Sequence, residues 1–449
     1  MTSPARVAAA VAALFGVASF ARDAILVLRN GYLTSPDTAG YLTGSWLRSR
    51  PYPVMAWLTD ATHHPENLVW LQLVLGGAAT AALVWLLWRN HRVLAVLVGV
   101  FFVLDFGWAT HDRQLLSEGP FVSFSVLSLA VLGYQYEQRH RVGAWGLALA
   151  GILFAWTCTI RPSNLYLLAP IAAFYFLFTR SWRKTAWLAA GMIVLLLASA
   201  WLTLVQTGKF RISGGTGYFV AFPLFSYQIF GPGNGPVSAQ LDSTLRACGA
   251  DPDYAGVSIL TSNDHIWGHY IPCLQSEGWS VDRIDQDFTA AYEEAVPRHP
   301  AEWFRSWGGW FVIGLGYPPR EGIKLAAKAF EHVPVVGRAL QKMLPSYGAD
   351  ADLYQAMSGA GSLSWQYVVA VLAALLVIAA LFWSRTGGTV RVIALSALTL
   401  VVYVCATVPA GHVFLQRYVE VMSPMHALVV AVLLVIAGEF VYRWRYRRT

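Results

Sequence analysis

The chain has 449 residues, of which 56% are hydrophobic and only 13% charged, whereas a soluble domain carries about 25% charged residues and roughly 45 to 50% apolar ones. Such a composition excludes a protein whose whole surface faces water, and it makes the bilayer the relevant solvent. The formal net charge of +7 gathers in short loops between apolar runs, so it reports membrane orientation and not nucleic-acid binding.

Apolar runs of about 17 to 25 residues cross a ~30 Å hydrocarbon core as helices, because a helix satisfies its own backbone hydrogen bonds there. Ten are predicted in chain order, at 7–28, 67–87, 93–108, 121–136, 143–159, 165–178, 186–205, 366–383, 392–408 and 426–441. The stretch 7–21 ends in small residues like a cleaved secretory signal, but the many spans that follow favour a retained first helix. Lys and Arg in short loops stay cytoplasmic. Five turns agree: Arg89 with Arg92, Arg139 with Arg141, Arg180 to Lys184, Arg385 with Arg391, and the tail from Arg443 to Arg448. Both termini are thus expected inside, and 29–66, 109–120, 160–164, 207–365 and 409–425 outside. The expected fold class is an all-α polytopic membrane protein of about 10–11 transmembrane helices. It divides into an N-terminal transmembrane module 1–206, an extracytoplasmic segment 207–365 and a C-terminal transmembrane module 366–449.

Residues 207–365 are too many for a structureless loop. Ile284, Phe288, Tyr292 and Ala295 recur at helical spacing. Lys324, Lys328, Arg338 and Lys342 interleave with Ile323, Leu325, Phe330 and Leu340 as on an interfacial helix. The Trp- and Gly-rich stretch 303–318 reads as a headgroup-level segment or an eleventh short span. Glycines at 214–217 and 231–235 read as loop punctuation, not as a phosphate loop. The segment carries 15 of the 25 acidic residues against 11 Lys and Arg. Cys158 and Cys405 fall inside predicted helices, whereas Cys248 and Cys273 share the outer segment; a disulfide between them suits an oxidising compartment, and two free thiols are the alternative.

An ionisable side chain at or near membrane depth is costly and marks a functional candidate. The candidates gather at the outer helix ends: Asp37, then Asp112 and Glu118, then Arg161, and last His412, Arg417 and Glu420. Singly, such an acid is an ordinary loop residue and such an arginine snorkels to headgroups. Together they set a general base and a cationic phosphate clamp in one leaflet plane. That combination suits transfer of a group from a lipid-linked phosphate. A carboxylate deprotonates the acceptor hydroxyl, arginines stabilise charge on the departing phosphate, and attack opposite the leaving group inverts the anomeric carbon.

At these residues the chain resembles the C-type glycosyltransferase superfamily (GT-C), in the branch of protein O-mannosyltransferases, lipid A aminoarabinose transferases and Rgt-like enzymes. The most specific piece is Pro36-Asp37-Thr38-Ala39-Gly40-Tyr41 followed by Arg50-Pro51-Tyr52-Pro53. Leu116-Ser117-Glu118 is similar to the family's second acidic position, Arg161-Pro162-Ser163 to its Arg-Pro turn, Gln416-Arg417-Tyr418 with Pro424 to its C-terminal signature, and His299-Pro300 to its outer His-Pro turn. The resemblance implies an inverting hexosyl- or pentosyltransferase of the cytoplasmic membrane. Its donor would be a polyprenyl-phosphate sugar, its acceptor a hydroxyl of a glycan, glycolipid or protein, and its active site extracytoplasmic. Asp37, Glu118 and Asp112 would be catalytic, Arg161, Arg417 and His412 would bind donor phosphate, and Tyr41, Trp46 and Tyr418 would bind substrate. The lone Asp37 departs from the mannosyltransferases' Asp-Glu pair, and no Trp-Trp-Asp motif of an oligosaccharyltransferase is present. Participation of a divalent cation, Mg or Mn, stays open, since Asp37, Asp112 and Glu118 supply only part of a hard-cation shell.

Two other readings compete. A transporter or flippase needs charges at the bilayer midplane and broken helices, and in this sequence Arg22-Asp23 is the only charge pair inside a predicted span. An O-antigen ligase or polymerase using a lipid-diphosphate donor shares the outer arginines without the early acid. His265 and His269 have the spacing of a zinc pair behind Asp264, but with no third ligand identified an ordinary loop is the expectation.

Overall fold

The computed structural model describes residues 4–35, 37–43, 50–252, 265–316, 387–411 and 422–446. Among them the regular structure is helical, apart from one isolated bridge between Leu33 and Gln114. The first half contains α1 (Pro4–Asn30), α2 (Thr38–Leu42), α3 (Pro51–Leu58), α4 (Pro65–Asn90), α5 (Arg92–Val103), α6 (Phe106–Asp112), α7 (Glu118–Glu137), α8 (Ala144–Ile160), α9 (Leu168–Thr179) and α10 (Trp182–Thr207). The second contains α11 (Thr216–Ser226), α12 (Pro236–Ala247), a π-helical turn Ile266–Tyr270, α13 (Ile271–Ser276), α14 (Val281–Ala295), α15 (Pro300–Gly316), α16 (Gly388–Gly411) and α17 (Ser423–Tyr446). Among the described residues, five helices have the length and apolarity of a bilayer crossing, or up to six if the bent pair α5–α6 counts as one. The protein is a polytopic helical membrane protein. The span expected at 366–383 and the interfacial helix expected at 321–344 lie outside the described residues.

Helices in lipid gain little from hydrophobic burial against one another and pack where small residues let backbones approach. α8 and α10 meet in this way: a Cβ on Gly151 would stand 2.0 Å from the Leu188 carbonyl oxygen, and one on Gly191 2.0 Å from that of Ala148. α1 likewise packs on α4 through Gly16 and Gly77.

One predicted span differs. The apolar run 93–108 reads as a single helix, yet the chain bends by 55° between α5 and α6. The cause is Asp105, whose carboxylate accepts the Trp108 N–H at 3.0 Å and starts a new helix. Three carbonyls around the break also accept from Arg22 of α1, which donates to Phe102 O at 2.5 Å, Val103 O at 3.1 Å and Asp105 O at 2.9 Å. Arg22 also holds Asp23 through two bonds of 2.6 and 3.0 Å. Arg22 stands eight residues before the end of α1, about 12 Å along the helix axis.

Residues 208–252 and 265–299 form a helical unit beyond α10. Cys248 and Cys273 are disulfide-bonded, with Cα atoms 6.0 Å apart. Ile284, Phe288 and Ala295 of α14 are fully buried in it. Gly215 and Gly235 turn out to be helix starts, not plain loop positions. Asp285 accepts the Gly217 N–H at 2.7 Å at the start of α11, and Glu294 accepts Val237 N–H, Ser238 N–H and Ser238 Oγ–H at 3.1, 2.8 and 2.7 Å at the start of α12. Desolvation pushes the Glu294 carboxyl up, but the Ser238 hydroxyl, the two backbone N–H groups and Arg298 outweigh it and hold the group below its ordinary value. His299 Nε2 lies 2.9 Å from Asn234 Oδ1, so the His-Pro turn braces the loop before α12.

Candidate active site

The loop after α1 and the turn between α6 and α7 are stitched together by backbone. Leu33 N–H donates to Arg113 O at 2.9 Å and Leu115 N–H to Leu33 O at 3.1 Å. Gln72 of α4 fixes the same turn, donating through Nε2 to Asp112 O at 2.8 Å and Gln114 O at 2.9 Å. Its Oε1 accepts the Tyr52 hydroxyl at 3.0 Å.

On this frame Asp37, half-buried, sits at the N-cap of α2. Its N–H donates to Ser35 Oγ at 3.2 Å. One helical turn later, Tyr41 is buried and its hydroxyl lies 2.9 Å from Ser117 Oγ, which in turn donates to Glu118 Oε2 at 3.4 Å. Tyr41 meets Tyr52 edge-on, with ring centroids 5.0 Å apart. Burial, with Tyr41 and Glu118 beside it, pushes the Tyr52 phenol well above its ordinary value. The structure therefore joins the segment of Asp37 to that of Glu118, two acids separated by 81 positions in the sequence.

Arg161 ends α8 with its guanidinium 5.7 Å from the centre of the Phe121 ring, one turn into α7 from Glu118. Phe121 also lines an apolar crevice between α7, α8, α9 and α16, with Leu129, Phe154, Ile171, Thr399 and Leu400 on its walls. A charged group thus stands at the head of an apolar slot.

Two basic residues were not legible as site candidates. Arg50, next to α3, is only 2% exposed and its Nε donates to Thr203 Oγ1 at 3.3 Å. Burial, then the like charge of Arg211 beyond α10, pulls its guanidinium below the usual value. Lys209 and Arg211 both reach Asp282, the latter at 3.8 Å. The sequence signal for Arg50 is its place between Asp37 and Pro51-Tyr52-Pro53; Arg211 has none.

Asp112 is placed elsewhere than expected. It is fully buried with its carboxylate turned into the helix core, against Gly76 of α4 and Gly119 of α7. Trp46, His412, Arg417, Tyr418 and Glu420 lie outside the described residues. Among the described residues, no group of three or more His, Cys, Asp and Glu is placed to hold a metal ion. The rings of His265 and His269 are 5.0 Å apart at the π-helical turn.

No family model and no curated protein matches this sequence. Among solved structures, the apo-state crystal structure of ArnT from Cupriavidus metallidurans is similar over 88% of this chain and 71% of that chain, with 15% sequence identity and a TM-score of 0.30. A likeness of that size leaves the chemistry to be argued from this chain's own residues.

Proposed function

We propose that this protein is an inverting GT-C-type glycosyltransferase that moves a sugar from a polyprenyl-phosphate donor to an acceptor hydroxyl at the outer face of the cytoplasmic membrane. The observation that carries the reading is the hydrogen-bonded junction Tyr41–Ser117–Glu118, with Asp37 one turn away and Arg161 over Phe121 at the head of an apolar crevice. Asp37 takes the acceptor's proton as its oxygen attacks the anomeric carbon, the bond from that carbon to the phosphate oxygen breaks, and polyprenyl phosphate leaves. Arg161 and Arg50, with Arg211, Arg417 and His412, hold the departing phosphate. The lipid chain lies in the apolar crevice. Glu118, through Ser117 and Tyr41, orients the acceptor, and Tyr41, Tyr52, Trp46 and Tyr418 bound the sugar. The basic loops at the other end face the cytoplasm, and the helical unit of 208–252 and 265–299 lies on the oxidising side, where a Cys248–Cys273 disulfide persists.

One observation favours a second reading. The break at α5–α6, capped by Arg22 inside the bundle, is the device transporters use to place a site at membrane depth. Reconstitution into liposomes with a lipid extract containing polyprenyl-phosphate sugars separates the two. The transferase reading expects consumption of the sugar-lipid and release of polyprenyl phosphate, both lost in Asp37→Asn at unchanged thermal stability. Movement of the sugar-lipid across the bilayer without consumption would establish the transporter instead.

A further inference from the structure

Arg22 faces three carboxylates, Asp23, Asp105 and Asp112, where α1, α4, α6 and α7 meet, and Arg113 stands near Asp23. Asp23 is satisfied by Arg22 and is also influenced by Arg113. Asp105 accepts the Trp108 N–H and the Ser423 hydroxyl, the latter at 2.8 Å. Asp112 feels Asp23, Arg22 and Asp105 electrostatically, yet neither of its oxygens has a hydrogen-bond partner among the described residues. Trp108, one turn earlier on α6, offers the carboxylate at most a neutral indole N–H and no balancing charge. An uncompensated carboxylate at full burial is too costly to persist, so one further positive charge belongs here.

Two hydroxyls say what kind. Ser123 Oγ of α7 and Thr80 Oγ1 of α4 are 1% and 0% exposed and also lack hydrogen-bond partners. The point where a Cβ of Gly76 would sit is 2.5 Å from Asp112 Oδ2 and 3.6 Å from Ser123 Oγ, yet those oxygens do not bond each other. Thr80 lies one turn along α4 from Gly76, on the same face. Gly119 meets the carboxylate from the other side, with its would-be Cβ 2.9 Å from Asp112 Oδ1. Two glycines therefore keep side chains away from hard oxygen donors on three helices.

We propose that Asp112, Ser123 and Thr80 bind a monovalent metal cation of the size of sodium. Carboxylate and hydroxyl oxygens suit a hard cation, and a single unbalanced negative charge suits a single positive one. A divalent ion would want more anionic ligands than this group supplies. Bound there, the ion ties α4, α6 and α7 together directly beneath the turn that carries Glu118. It does not depend on the transferase reading.

The test is thermal unfolding of the purified full chain in a graded series of sodium chloride, with N-methylglucamine chloride keeping ionic strength constant. Wild type is expected to gain Tm saturably with sodium, because an ion that binds only the folded state stabilises it by mass action. Asp112→Asn is expected to lose the response. Ser123→Ala and Thr80→Val, which keep the charge and the fold, are expected to move its midpoint several-fold higher in sodium. Coincident curves in the two salts for wild type would overturn the proposal. So would a sodium response that survives in Asp112→Asn, or stabilisation by acid alone without sodium, which would mean a protonated carboxylate.

Discussion

The two ends of the helix bundle use their charges differently. At the end holding Arg89, Arg139 and Lys184, the cations are exposed or half-buried and rest on ready partners. Arg89 is bonded to Glu137 at 2.7 Å and lies 4.8 Å over Trp85, Arg139 lies 4.7 Å over Tyr136, and Lys184 donates to the Arg139 carbonyl. At the Asp37 end, Arg50, Tyr41, Tyr52 and Glu118 are buried, and they touch groups from distant parts of the chain. Surface cations on aromatic stems anchor a helix end at little cost. Buried charges and hydroxyls held against one another cost stability, and a site that must act on a charged substrate is where that cost is retained.

Substitutions should separate the ends in proportion to that difference. Arg50→Ala removes a buried guanidinium from the phosphate clamp and is expected to raise the apparent KM for the sugar-lipid about ten- to hundred-fold, the loss of a charge-assisted bond. An unchanged KM would remove Arg50 from the site. Tyr41→Phe deletes the hydroxyl that meets Ser117 and should cost about five-fold in kcat/KM, as for a neutral hydrogen bond of about 1 kcal/mol; chemical unfolding is expected to show the fold intact. Arg89→Gln, at the other end, should leave transfer within about two-fold. The smallest effect concerns Glu294. Its folded-state pKa lies below the ordinary 4.5, so its stabilisation is present above that pH and fades as pH falls through the folded value. Glu294→Gln should flatten that acid-side slope in a Tm-versus-pH series and leave Tm at neutral pH lower than wild type.

Much of this was legible from sequence. The five bilayer-length helices among the described residues could be read because length and continuous apolarity leave a helix no alternative, and α14 because Ile284, Phe288 and Ala295 keep one face. Asp37, Glu118 and Arg161 stood out because charge at helix mouths is costly. What escaped was tertiary. Asp105 sits in an unbroken apolar run, and only Arg22, some 80 positions earlier, makes the break there tenable. Asp112 looks in sequence like a loop acid beside Glu118, but α6 rotates it inward against Gly76. Arg50 and Arg211 read as loop cations until α3 and α10 bring them together.

On the proposed function, chemistry happens at the Asp37 end. Mass spectrometry of surface glycans in a strain lacking this protein, complemented with wild type, Asp37→Asn or Arg89→Gln at matched membrane levels, tests it most directly. A glycan restored by wild type and Arg89→Gln and absent with Asp37→Asn is expected, a loss on the order of 10²-fold or more for a general base. A glycan restored in full by Asp37→Asn would contradict it.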